Sequence, residues 1–163
     1  MKSFPQKVTK LLPYLLIFLV VLIFFKPIFS GNIPFPGDLL INQNPYKAES
    51  YLGYAPGGYP NKAQGPDVIS QIYPWKFFAM EEFKKGEIPL WNPYNFSGNP
   101  QMANFQTAAF YPLNILYLTM PFNYAWTIFI ALQLFLAASF MYLFLRKGLL
   151  LTFFASLIGG VSF

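Results

Sequence analysis

The chain has 163 residues, 55% hydrophobic, 21% aromatic and only 10% charged, where a soluble domain carries about 25% charged residues. That composition excludes an ordinary soluble domain and points to a membrane protein. The net charge of +5 does not mark a nucleic-acid binder: positions 31–122 hold five lysines and six acids, and the remaining cations flank apolar stretches.

In chain order, residues 1–10 are short and basic, with Lys2, Lys7 and Lys10. An uncharged run follows from Leu11 to Phe25, extended to residue 30 if Lys26 snorkels, and it reads as a first transmembrane helix over 11–30. Pro13 is expected in its first turn, where proline is tolerated. A secretory signal peptide cleaved near Ser30-Gly31 is the competing reading. The later apolar runs favour an uncleaved anchor.

Residues 31–122 form a large loop. Tyr54-Ala-Pro-Gly-Gly-Tyr-Pro60 is a turn cluster. Asp67 is expected as the N-cap of a helix, Pro74 as the point where that helix kinks or restarts, and Lys84-Lys85-Gly86 as its end. Lys76, Glu81, Lys84 and Lys85 beside Trp75, Phe78, Ala79 and Phe83 suggest a helix lying along an interface. Residues 114–120 suggest a short interfacial or re-entrant helix ended by Pro121.

Residues 123–145 are uncharged and long enough to span a bilayer. Arg146-Lys147 closes the run over 146–148, and 149–163 reads as the start of a third span. The positive-inside rule puts the N-terminus and 146–148 in the cytoplasm and 31–122 outside. The whole reads as an all-α, multi-pass cell-membrane protein, and the apolar end suggests the N-terminal piece of a longer chain.

There is no Cys and no His, so acid–base work falls to Asp, Glu, Lys or Tyr. Asp38, in Pro36-Gly37-Asp38, lies close in sequence to the first span. It could deprotonate an acceptor hydroxyl or help hold a divalent cation, Mg or Mn; on the sequence alone a plain turn residue is the favoured reading. Asp67 with Gln71 could form a second polar face, or Asp67 could only cap. Trp75, Trp91, Tyr94, Asn92, Asn99, Asn104 and Gln106 suit a carbohydrate, because aromatic faces stack on sugar C–H surfaces and amides pair with hydroxyls. A membrane aromatic belt would account for the Trp and Tyr but not the amides. Glu81-Glu82 reads as a solvated helix face.

Pro36-Gly37-Asp38, Asp67-x-x-x-Gln71-x-Tyr73-Pro74-Trp75, Gly86-x-x-Pro89-Leu90-Trp91-Asn92-Pro93-Tyr94, Gly98-x-Pro100, Ala103-Asn104-x-Gln106 and Phe110-Tyr111-Pro112-Leu113-Asn114 together resemble bacterial YfhO-type membrane proteins. Those are similar to GT-C glycosyltransferases. The resemblance implies a GT-C-like fold with a large first extracytoplasmic loop. It also implies transfer of a sugar from a polyprenyl-phosphate donor to a cell-envelope glycan or protein acceptor. Asp38 best matches the catalytic base or metal ligand, with Asp67 second; Gln71, Trp75, Trp91, Asn92, Tyr94 and Asn104 would contact substrate. The implied partners are membrane lipid, lipid-linked donor and acceptor, with no nucleic acid. The alternative is a non-catalytic multi-pass protein assisting envelope polymer assembly or export.

Overall fold

The computed structural model describes residues 6–48 and 66–163; the turn cluster at Tyr54–Pro60 and the cation Lys2 lie outside them. The described chain is mostly helical. It forms two compact units, one built from 1–33 and 126–163 and the other from 34–125.

The first unit contains α1 (Gln6–Phe24), most of α4 (Phe122–Leu143) and α5 (Phe153–Ser162). Pro13 lies well inside α1 and not in its first turn, because the helix starts earlier than the apolar run does. An interior proline removes one backbone bond of the helix. Pro27 cannot donate an N–H, and α1 gives way to a 3-10 turn at Lys26–Ser30. Tyr14 meets Tyr142 edge to face at 5.8 Å and Phe18 meets Phe135 at 6.1 Å, so α1 and α4 run antiparallel. With its π-helical continuation, α4 is one helix of 27 residues from Phe122 to Gly148, and its most apolar 18-residue stretch has mean hydropathy 2.3. It is long and apolar enough to cross a membrane. Arg146 Nη1 donates to the Leu151 carbonyl at 2.7 Å, and Thr152 caps α5 by accepting from the Ala155 N–H at 3.4 Å.

The second unit is organised around α2 (Tyr73–Lys84). The restart at Pro74 is as expected: Pro74 cannot donate to the Ser70 carbonyl, and the chain widens into a π-helical turn at Val68–Ile72 just before α2. Asp67 is not the expected N-cap. It already has helical φ and ψ, and its side chain makes no capping bond. The end of α2 is the expected one. The Gly86 N–H donates to the Phe83 carbonyl and the Glu87 N–H to the Glu82 carbonyl, each at 3.0 Å, a Schellman closure.

A small hairpin follows, β1 (Trp91–Asn92) antiparallel to β2 (Asn99–Pro100), with Asn92 opposite Asn99. The short helix α3 (Ile115–Thr119) then precedes Pro121. Leu39, Ile41, Ala79, Met80, Tyr117, Phe122 and Ala125 are buried in this unit. Phe122 packs edge-on against Tyr73 at 5.0 Å and Phe77 at 5.1 Å, and tilts on Tyr117 at 4.9 Å. Each such aromatic pair adds about 0.5–1.5 kcal/mol beyond its area.

Candidate functional site

Along α2 and the hairpin runs a cleft of about 530 Å³ whose walls include Trp75, Phe78, Glu82, Asn92, Tyr94 and Asn95. That volume lies within the range of about 300–1,000 Å³ typical of small-ligand sites. Three residues singled out from the sequence, Trp75, Asn92 and Tyr94, therefore meet in one place. Tyr94 is 83% exposed and meets Phe78 edge-on at 5.8 Å, which leaves most of its ring open to a ligand.

The cleft is held in shape by a buried amide relay. Gln101, fully buried, donates from Nε2 to the Trp75 carbonyl at 3.1 Å and to Thr107 Oγ1 at 3.2 Å. Its Oε1 accepts from Asn92 Nδ2 at 3.1 Å. Asn92 Oδ1 in turn accepts from the Tyr94 N–H at 2.9 Å. These bonds tie α2 to the hairpin and fix the backbone at Tyr94. Asn92 thus spends one donor and one acceptor position on the fold. Asn104 spends one acceptor position, accepting from the Gln106 N–H at 3.2 Å.

The other expected residues lie off the cleft walls. Trp91, 54% exposed, covers Gly98: a Cβ on Gly98 would stand 2.6 Å from Trp91 Nε1, and Gly98 has φ +99°. Only glycine holds that turn without strain. Gln71 is exposed in the π-helical turn and Asp67 is exposed just before it. Asp38 is half-buried in a 3-10 turn, Gly37–Asn42, that packs against the π-helical turn.

The carboxylates at the cleft are Glu81 and Glu82. Glu82 is not the solvated residue its sequence context suggests: its side chain is 17% exposed and pairs with Lys85 at 2.7 Å. Glu81 pairs with Lys84 at 2.7 Å. No group of three or more His, Cys, Asp or Glu converges among the described residues.

Behind the cleft, on the opposite face of α2, sits a residue whose burial the sequence reading missed. Lys76 is 5% exposed, not on an interfacial polar face. Its Nζ donates to Asn114 Oδ1 at 3.1 Å and to the Ala108 carbonyl at 3.4 Å, and lies 6.0 Å from the centre of the Tyr117 ring. Asn114 Nδ2 donates to the Ala108 and Ala109 carbonyls, both at 2.7 Å. Burial lowers the Lys76 pKa to about 8 and raises that of Tyr117, each by penalising the charged form. A usable signal was present in the sequence: Lys76 falls three and four residues before Ala79 and Met80, on the buried face of one helix.

No protein-family model, curated protein or solved structure matches the chain.

Proposed function

We propose that this is a GT-C-like, YfhO-type membrane protein that takes part in transferring a sugar from a polyprenyl-phosphate donor to a cell-envelope acceptor outside the cytoplasmic membrane. The reading rests on one observation: Trp75, Asn92 and Tyr94 share a cleft with Glu82. A polyhydroxylated ring needs an apolar face for its C–H surface and polar groups at its rim, and this lining offers both. A helix long and apolar enough to cross a membrane, α4, suits a lipid-linked substrate.

Two carboxylates compete for the base that takes the acceptor hydroxyl proton. Asp38 is the one the resemblance implies first; Glu82 is the less exposed of the two at the cleft. The test is incorporation of labelled sugar into envelope polymer in a strain lacking the gene, complemented with the wild type, Asp38→Asn or Glu82→Gln. A positioned general base contributes about a hundredfold to ten-thousandfold, so the variant that removes it loses nearly all incorporation while membrane levels stay unchanged. Wild-type incorporation in the deletion strain without complementation would sink the transferase reading.

A second reading, a non-catalytic factor that binds envelope polymer, is favoured by a separate observation: Asn92, Gln101 and Asn104 are committed to bonds within the fold. Under it, both carboxylate variants are silent, and loss of Tyr94 reduces polymer assembly or export without changing sugar transfer.

A further inference from the structure

The described residues of the unit formed by 1–33 and 126–163 include the cations Lys10, Lys26, Arg146 and Lys147 and no acidic side chain, because every acid of the chain lies between positions 38 and 87. No carboxylate side chain within the unit can neutralise these cations. Three of them, Lys10 from α1 and Arg146 and Lys147 from the continuation of α4, line one cleft of about 540 Å³ whose walls include Tyr14, Tyr142 and Phe153.

The cleft has a fixed frame. Tyr142 is gripped between Tyr14, edge-on at 5.8 Å, and Phe153 at 6.3 Å. Arg146 is anchored through Nη1 to the Leu151 carbonyl at 2.7 Å, a bond that uses one of its five N–H donors. Phe153 opens α5, so the partial positive end of a helix adds to the same field. The cleft also sits at the end of the helix that is long enough to cross a membrane. At that depth the most abundant anion is a lipid phosphate, and juxtamembrane Lys and Arg are attracted to it. The same helix ends carry exposed apolar side chains, Leu11 and Leu15 on α1 and Phe140 and Phe144 on α4 and its continuation, a surface that acyl chains could follow.

We propose that this basic cleft holds the phosphate of an anionic glycerophospholipid headgroup. Lys10, Arg146 and Lys147 would neutralise it, and the tyrosine hydroxyls of Tyr14 and Tyr142 would serve as neutral donors at its rim. The proposal depends on α4 lying in a membrane and not on any sugar transfer.

The test is native mass spectrometry of the full chain in detergent micelles, offered equal amounts of phosphatidylglycerol and phosphatidylcholine. The wild type should retain phosphatidylglycerol over phosphatidylcholine by roughly tenfold or more, and the preference should shrink as salt is raised. The double variant Lys10→Gln/Lys147→Gln keeps the Arg146 anchor and alters only exposed side chains. It should lose the preference with unchanged helical circular dichroism. Lys84→Gln/Lys85→Gln, which removes equal charge from the other unit, should keep it. Equal retention of the two lipids, or a preference that survives Lys10→Gln/Lys147→Gln, overturns the proposal. Displacement of phosphatidylglycerol by an equimolar amount of inorganic phosphate also overturns it, by assigning the cleft to a free anion.

Discussion

An ammonium group taken out of water loses hydration that two hydrogen bonds and a tyrosine face replace only in part, and Lys76 is in that position. Its pKa falls from 10.5 to about 8 through desolvation. In the folded chain it is therefore mostly neutral above about pH 8, whereas the unfolded chain stays protonated to about pH 10.5. Between those values the unfolded state binds more protons, so stability must rise with pH. The tyrosines set the upper limit of the window: burial raises the pKa of Tyr73 and Tyr117, so above their unfolded value of about 10 they oppose further gain. Between pH 8 and 9.5 the gain from Lys76 is on the order of 1–2 kcal/mol. Urea unfolding of the wild-type chain in micelles, followed by tryptophan fluorescence, should show the midpoint rising across that window. Lys76→Met should flatten the dependence. A wild-type midpoint that is constant or falls would mean the amine is already fully hydrated.

Local backbone chemistry accounts for the parts of the fold that could be read from the sequence. Pro74 restarting a helix, Gly86 closing it and Pro121 separating α3 from α4 each follow from a missing donor or a special φ, which are properties of single residues. The cleft and its relay were harder to read. Gln101 stands nine residues from Asn92 and twenty-six from Trp75, in a 3-10 turn without periodicity, and its three partners meet only because the hairpin folds back on α2. Glu82 looks solvated because its neighbours in sequence are charged, yet it lies in the cleft wall, mostly buried and paired with Lys85. Among the amides suited to a sugar, Asn92 and Asn104 each accept a hydrogen bond from a backbone N–H two residues on, and Asn92 also donates to Gln101.

Close packing of helices is a further property of elements. A Cβ added to Gly160 of α5 would stand 2.9 Å from the Ala138 carbonyl oxygen and 3.1 Å from Tyr142 Cβ, atoms of α4 that cannot swing aside. Small residues at such crossings let backbones approach. Gly160→Val should therefore push α5 off α4 at a cost of roughly 1–3 kcal/mol, seen as faster amide exchange along 153–162. Gly159→Ala meets only the tip of Leu145, which can rotate, and should leave exchange nearly unchanged. Equal protection in the wild type and Gly160→Val would show that the contact carries no load.

At the scale of the whole molecule the question is what α4 separates. The helix from Phe122 to Gly148 is uncharged until Arg146-Lys147, and a centrally placed charge would cost about 2.5–3.5 kcal/mol in a bilayer, so the helix can thread one without that penalty. The cations at its far end, with Lys2, Lys7 and Lys10 at the start of the chain, favour the cytoplasmic side by the positive-inside bias. In that orientation the nearly neutral segment 31–122, which carries the cleft, would lie outside. The absence of cysteine makes the arrangement directly measurable, because any introduced thiol is the only one in the chain. Phe96 is 99% exposed and lies before α4; Lys147 is exposed and lies at its end. In intact cells a membrane-impermeant maleimide should label Phe96→Cys and spare Lys147→Cys, and permeabilisation should make both reactive. The inverse pattern would put the cleft in the cytoplasm, where a lipid-linked donor displayed on the outer face could not reach it, and the transfer proposal would fall with it. Equal labelling of both thiols in intact cells would mean that α4 does not cross the membrane, and the headgroup assignment of the basic cleft would fall as well.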